Sequence, residues 1–560
     1  VNNYPSRLNE EQKQEVLKRI WKEDPSVWSD DPEIQEKIKN RLGWLRCVQD
    51  MLGKVDGILD FARQVQAAGI RQVVLMGMGG SSLCPLVLSR IFPRAEGYPD
   101  LTVLDTTDPE VVEQTLEEIE IKNTLFVVSS KSGTTVEPNA LFNFFYALAE
   151  KELENPGQHF MAITDSGTPL EKLAQEKGFL KTFINASDIG GRFSALSYFG
   201  LVPAALMGID IKRLLENARD MMDKCGPDVP WKDNPAGKLG EFLGNCLILS
   251  RDKLTLMADP AIKPLCLWIE QLVAESTGKD TRGFIPIVGE TTGIPSFYGS
   301  ERTFVYMRME ETPEEISLDA FIRELGEAEF PVYVLRLKDI YDIGGLFFLW
   351  EMVTALVCYF EGLNPFDEPD VLLAKTKTVE VLEKYRQDGK MPVKFWVDPQ
   401  SKITFRPSRL LAASMKGLTR TLRDLFQVLP TWGYLGFLPY LPYNPELEDL
   451  ILEMRHMVRQ ECGCATVMGY GPRYLHSSGQ AYKGGPISAG FLIFTRKRNR
   501  DYPEIPGFGV SFWHMQFAQA VGDFEAMEEK HKRVIHIHLP ADYMLGMKSF
   551  VKVLSRAARL

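Results

Sequence analysis

Between Val127 and Asn139 the chain reads VVSSKSGTTVEPN, an apolar run that empties into Ser130, Ser132, Thr134 and Thr135 around Lys131 and Gly133. Hydroxyls and unbonded N–H groups at a helix start hold a phosphate dianion through hydrogen bonds and the helix dipole, with no metal required. Thr134 and Glu137 stand in capping-box spacing, so a helix is expected to open there. Upstream, LMGMGGSSLCP repeats this grammar, with Gly77, Gly79 and Gly80 in the turn and Ser81 and Ser82 at the next helix start. Two such loops converge in a doubly wound sheet, where ligands sit beyond the carboxyl ends of the strands. The rival is a dinucleotide site. It needs glycine where this chain has Ser82, and Asp105 is only a loose match for its ribose-binding acid.

Four further passages carry reactive side chains. DIGGRFSAL sets Arg192 after a strand and a glycine pair, where a guanidinium could neutralise developing negative charge; alone it reads more readily as a surface arginine capped by a neighbouring carboxylate. QLVAESTGKD ends an apolar helix with Glu275. That carboxylate is either an exposed partner of Lys279 or, turned into a cleft, a carbon-acid base poised near neutral pH. LNPFDEPDVLLAK offers Lys375 at a helix start, by itself a solvated lysine. YGPRYLHSSGQAYKGGP places His476 and Lys483 in a glycine-rich loop after a strand. His536 and His538 alternate on one strand face without a third ligand nearby, so no metal site is expected.

Positioning these groups falls to a chain of 560 residues, too long for one core and expected to form two or three lobes. Residues 1–65 read as amphipathic helices, for example Glu10–Trp21, wrapping a core. Residues 66–210 alternate short apolar strands with helical windows, the pattern of an α/β parallel sheet. A helical stretch from Ser194 to Val273 follows, interrupted near GPDVPWKDNPAG. A second α/β unit, within 211–397, has FIPIVG, TFVYMRM and PVYVLRL as strands beside a helix over Gly344–Glu361. Residues 398–560 form a C-terminal α/β region with helices Leu410–Val428 and Pro445–Glu461 and strands ATVMGY, FLIFT and VIHIHL. The segment TWGYLGFLPYLPYN between those helices reads as an ordered loop packing rings.

The formal charge of −11 argues against nucleic acid as partner, since a phosphate backbone needs a basic footprint. Eight scattered cysteines read as buried thiols of a reducing compartment. The most membrane-like run, Ile343–Leu363, carries Glu351 and Glu361 and reads as a buried helix. The chain opens VNNYPSRLNEEQK, with no signal peptide and no initiator methionine, so a processed chain or one half of a longer polypeptide is expected.

Taken in order, MGMGGSSLCP, SSKSGTTVEPN, GGRFSALS, ESTGK and NPFDEPDVLLAK resemble the motifs of the glucose-6-phosphate isomerase family, over about residues 70–380. YGPRYLHSSGQAYKGGP resembles the isomerase half of fused transaldolase and glucose-6-phosphate isomerase proteins. The resemblance implies two sugar-isomerase (SIS) type lobes, no cofactor, a cytoplasmic homodimer, and a transaldolase half upstream. It implies interconversion of glucose 6-phosphate and fructose 6-phosphate through a cis-enediol. Gly80, Ser81, Ser130, Lys131 through its backbone, Ser132 and Thr135 would hold the phosphate. Glu275 would move the proton, Arg192 would stabilise the enediolate, and Lys375 would act in ring opening. The family's usual histidine between the glutamate and lysine motifs is missing, since no histidine stands between Asp165 and Arg455. His476 takes that role in this reading, in its own site or in a neighbouring subunit's. Thr277 and Glu368 stand where the family has asparagine and often glutamine, and Glu368 is expected to act on Lys375. Two alternatives stay open: an isomerase that also accepts mannose 6-phosphate, and a non-catalytic sugar-phosphate sensor.

Overall fold

In the three inner strands of the first sheet, short runs rich in Val, Leu, Ile and Phe are buried on both faces, as parallel strands covered by helices must be. The computed structural model describes residues 5–412 and 417–559. Strands β1 (Gln72–Gly77), β2 (Asp100–Leu104), β3 (Thr124–Ser129), β4 (Phe160–Asp165) and β5 (Lys181–Asn185) form a parallel sheet of order β2-β1-β3-β4-β5. Its register pairs Gly77 with Ser129, so the glycine loop and the hydroxyl loop leave the sheet side by side.

The second sheet holds β6 (Lys253–Ala258), β7 (Ile285–Ile287), β8 (Arg302–Met309) and β9 (Val332–Leu337), parallel in the order β7-β6-β8-β9. Strand β6 corrects the expectation that the stretch from Ser194 to Val273 is helical apart from a break near GPDVPWKDNPAG. KLTLMA is built of residues that favour helices, but two strand partners and full enclosure override that preference. The helices actually run Tyr198–Leu206, Ile211–Lys224, Pro235–Ile248 and Leu265–Thr277.

The third sheet contains β10 (Trp396–Val397), β11 (Thr404–Pro407), β12 (Tyr434–Pro439), β13 (Ala465–Met468), β14 (Ala489–Arg496) and β15 (Arg533–Leu539). Its order is β10-β11-β15-β14-β12-β13, with β13, β12, β14 and β15 parallel, β11 antiparallel to β15 and β10 antiparallel to β11. Strand β12 overturns the loop expected over TWGYLGFLPYLPYN. Residues Tyr434–Phe437 pair on both sides, Leu438 and Pro439 on one, and the proline falls at the last position of the strand. Of the helix expected over Leu410–Val428, residues 413–416 lie outside the described residues, and Leu418–Val428 is helical. The first four residues of the expected N-terminal arm also lie outside them.

A helix over Ile343–Glu361, buried along its whole length, is the pillar around which the N-terminal helices wrap. Trp28 donates its indole N–H to the Ala355 carbonyl at 2.9 Å, and Trp44 packs on Phe348 and Phe193. Each such large apolar side chain contributes roughly 1.5–3 kcal/mol by leaving water. The segment Ile340–Glu361 is long and apolar enough to cross a membrane, yet 94% of its most apolar window is enclosed by protein. Glu351 within it is pushed by burial well above the carboxylate range, so it is carried as the neutral acid. His536 and His538 share the Thr495 hydroxyl at 2.7 and 2.9 Å; burial holds both imidazoles neutral, His538 down to about 4. The cysteines are free, all buried but Cys462, which is half-buried.

Candidate functional site

The glycine loop lies where three motifs cross. At Gly77 a side chain would meet the Ser81 carbonyl at 2.9 Å, while the Ser129 hydroxyl donates to that same carbonyl at 2.8 Å. Gly79 sits at φ +54°, and a Cβ there would lie 2.5 Å from the His476 carbonyl oxygen. At Gly80 a Cβ would lie 2.0 Å from the Gly191 carbonyl oxygen. Only glycine lets the arginine motif and the C-terminal loop approach this closely.

Beside it, Ser130 is buried; its hydroxyl donates to Thr135 Oγ1 at 3.2 Å and accepts from the Gly133 N–H. Ser132 and Thr134 share a hydroxyl contact at 2.8 Å on the exposed rim of the loop. The Lys131 ammonium turns away to Asp165 and the Ser187 carbonyl, so this residue offers its backbone alone to the loop. The expected capping box does not form. The helix is Val136–Glu152 with Thr135 at its N-cap, and the Thr135 side chain makes no cap bond. Glu137 is therefore released for other work.

That work is a bond to His476, whose Nε2 lies 3.0 Å from Glu137 Oε1. Gln519 donates to the same oxygen at 2.7 Å and is itself held by the Thr107 hydroxyl. Burial pushes the Glu137 carboxyl up, but the His476 imidazole and its hydrogen bond outweigh this and leave it below the ordinary value. His476 thus reaches Glu137 within its own chain. Lys375, exposed on the helix Val371–Asp388, is close enough for its charge to stabilise the Glu137 carboxylate.

Glu275 lies one turn from the end of the helix Leu265–Thr277, with Oε1 3.4 Å from Arg192 Nη1. Arg192 is buried and fully bonded, to Ser276 Oγ at 2.8 Å, the Pro365 carbonyl at 2.6 Å, the Asp367 carbonyl at 3.0 Å and Glu368 Oε2 at 3.1 Å. Burial drives the Glu275 carboxyl up to about 7, Arg192 opposing the rise and Glu368 adding to it. The carboxyl is therefore divided between acid and base near neutral pH, as a group that must take and return one proton requires. Gln271 joins the two halves, donating to Glu275 Oε2 at 3.2 Å and to the His476 carbonyl at 3.0 Å.

One expectation changes here. Lys279 does not pair with Glu275. It is buried against Asp367 and the Asn364 carbonyl, which stitches the glutamate and lysine motifs together. Glu368 makes an ion pair with Arg192, a partner not expected from the sequence. Asp105, the loose match for a ribose acid, is buried under Arg473, with bonds of 2.6 and 2.8 Å, and the Tyr443 hydroxyl at 3.0 Å. It has no face left for a dinucleotide. Sequence reasoning missed Glu137, Gln271 and Gln519. The first was read as a helix cap, and the others pair across hundreds of residues or lie on an otherwise apolar helix, where spacing carries no signal.

The phosphoglucose isomerase family model matches residues 44–301, a span that takes in the glycine, hydroxyl, arginine and glutamate loops but not Lys375 or His476. The chain is 34% identical over 387 residues to a glucose-6-phosphate isomerase of Trichormus variabilis, covering 60% of this chain and 72% of that one. It is 27% identical over 405 residues to one of Carboxydothermus hydrogenoformans, covering 62% and 86%. A solved structure of a hypothetical protein from Thermus thermophilus superposes with a TM-score of 0.55 at 26% identity, over 68% of this chain and 96% of that one. A glucose-6-phosphate isomerase of Chlamydia trachomatis, at 18% identity and the same TM-score of 0.55, shares the fold over 68% of this chain and 85% of its own. With its glycine, hydroxyl and arginine loops leaving the first sheet, Glu275 brought against Arg192 from the second lobe, and a 34%-identical relative covered over most of its length, this chain belongs to the phosphoglucose isomerase family.

Proposed function

We infer that this chain interconverts glucose 6-phosphate and fructose 6-phosphate by proton transfer through a cis-enediol. The observation that carries the reading is the Glu275–Arg192 contact at 3.4 Å, a carboxyl poised near pH 7 against a fixed guanidinium. In this proposal the substrate phosphate lies against the hydroxyls of Ser81, Ser130, Ser132 and Thr135, the N–H groups of Gly80 and Lys131, and the start of the helix Val136–Glu152. Anchoring at that end fixes C1 and C2 against Glu275, and such positioning removes much of the barrier. His476, oriented by Glu137, exchanges the proton that opens the ring, with Lys375 beside it. Glu275 takes the proton from C2 and returns it to C1. Arg192 stabilises the negative charge that grows on the enediolate oxygens. No step asks for a metal or a nicotinamide.

The domain reading of residues 66–210 and 211–397 as phosphate-binding and base-bearing lobes belongs to the same proposal. So do the cytoplasm, consistent with free buried cysteines, a homodimer and an upstream transaldolase half. Since His476 closes on Glu137 in its own chain, a homodimer would concern quaternary structure rather than completion of the site. Light scattering of the purified chain checks it.

The test of function is glucose 6-phosphate formation from fructose 6-phosphate in the presence of a chelator, with Glu275→Gln beside the wild type. Turnover should persist in chelator and fall at least about a hundredfold in the variant, the scale of a lost general base. A wild type that binds fructose 6-phosphate without turning it over would leave a sensor in place of an enzyme.

A further inference from the structure

The base and the ring-opening lysine sit on two helices that do not follow one another in sequence, and one buried side chain of the third sheet's region ties them together. Gln480, fully buried in the short helix Gly479–Gly484, donates to the Gly278 carbonyl at 3.0 Å and to Asp370 Oδ2 at 2.8 Å, and accepts from the Asp370 N–H at 2.9 Å. Gly278 caps the C-terminus of the helix that carries Glu275. Asp370 is the N-cap of the helix that carries Lys375.

Asp370 makes no cap bond to its own helix. Its carboxylate goes instead to Gln480 and to the Lys530 ammonium. The Lys375 helix is therefore oriented from outside itself. Packing leaves the connection no slack: a Cβ on Gly278 would lie 2.4 Å from Ala481 Cα, and one on Gly484 would lie 2.2 Å from Asp370 Oδ2. The Thr281 N–H also donates to the Gly484 carbonyl.

We propose that Gln480 is a positioning residue, which sets the placement of the Glu275 helix end relative to the Lys375 helix start without touching substrate. The proposal rests on the isomerase reading above. The two bonds between Gln480 and Asp370 run in opposite directions, and the third reaches across to Gly278. A single apolar side chain of similar size would fill the space and release all three.

The test compares Gln480→Leu and Gln480→Glu with wild type in steady-state turnover of fructose 6-phosphate, thermal melting and inhibition by inorganic phosphate. The phosphate loops lie on the first sheet, away from this contact, so KM and phosphate inhibition should stay within about twofold. kcat should fall between about tenfold and a hundredfold, the cost of a shift approaching 1 Å between reacting groups. In Gln480→Glu two carboxylates face each other. Adding Asp370→Asn turns one of them into a donor and should recover most of the lost kcat. Wild-type kcat in both folded single variants would overturn the proposal. So would a loss of kcat that tracks the drop in melting temperature, raises KM alongside it, and is not recovered in the double variant. Failure of the isomerase reading looks different, since the wild type itself would then be inactive or indifferent to Glu275→Gln.

Discussion

The first sheet and the parallel strands of the third share a plan: β1 and β12 lie inside, β2 and β13 on one side, and β3 and β4, like β14 and β15, follow on the other. Their carboxyl ends are built oppositely. The first ends in glycines and small hydroxyls, with Ser132 and Thr134 exposed on a rim where an anion can reach backbone N–H groups. The third ends in a dry, bonded knot. Tyr440 and Tyr474 share a hydroxyl contact at 3.1 Å, Tyr474 donates to Asp523, and Lys483 pairs with Asp523 at 2.7 Å, with both charges fully buried. That knot holds the turn Arg473–His476, and Arg473 pins it to Asp105 of the first sheet. In the proposed reading one wound architecture thus serves two ends: open loops hold the phosphate, and a rigid end delivers His476 to Glu137 beside the first sheet.

The division predicts separable kinetic losses. His476→Ala should lower kcat on the cyclic sugar phosphate by about 10²–10⁴, the range of a lost acid–base group, with little change in KM. Turnover of an open-chain aldose phosphate that cannot close a ring should be nearly spared. Equal losses on both substrates would take His476 out of ring opening and blur the contrast between the two ends. Ser130→Ala strikes the binding end instead. It removes one hydroxyl from the phosphate and the acceptor of the Gly133 N–H, a loss of about 2 kcal/mol for a bond to a charged group, or roughly 30-fold in KM. Here kcat should hold, because an interaction made equally in ground and transition states is what has gone. A kcat loss without a KM change would mean that the loop takes part in chemistry.

How far the sequence reaches differs between the same two regions. All five strands of the first sheet, and both anion loops, announce themselves as apolar runs ending in glycine and hydroxyl clusters. The inner strands β6 and β12 do not. KLTLMA has helix-forming residues and YLGFLP has a glycine and a proline, and what makes them strands is enclosure by partners on both sides. The site shows the same boundary. Arg192 and Glu275 are legible because each stands in a compact local motif. The Glu137–His476 pair is not, since its halves lie 339 residues apart and Glu137 stands where a helix cap also fits. Chemistry carried by one loop can be read from spacing, but chemistry assembled between lobes needs the packing.

Glu275 belongs to neither of the two contrasted ends, and its titration should show whether the middle of the molecule tunes the base independently of them. With its carboxyl raised to about 7 by burial, the free enzyme holds the ionised base only above that value, so kcat/KM should climb as pH rises through about 7. Glu368 adds to the rise, and it also shares Arg192 with Glu275 at 3.1 Å. Glu368→Gln removes a negative charge and leaves more of the guanidinium's field to Glu275, and both changes favour the ionised carboxylate. The midpoint should therefore move to lower pH. Because Glu368 is half exposed, water screens it, and the shift should stay below about one unit. A pH–rate profile of the variant checks the sign. A midpoint that moves up would mean that Glu368 holds Arg192 in place for Glu275 more than it competes for it, and the base would then depend on the Pro365–Glu368 turn for its environment as well as for its geometry.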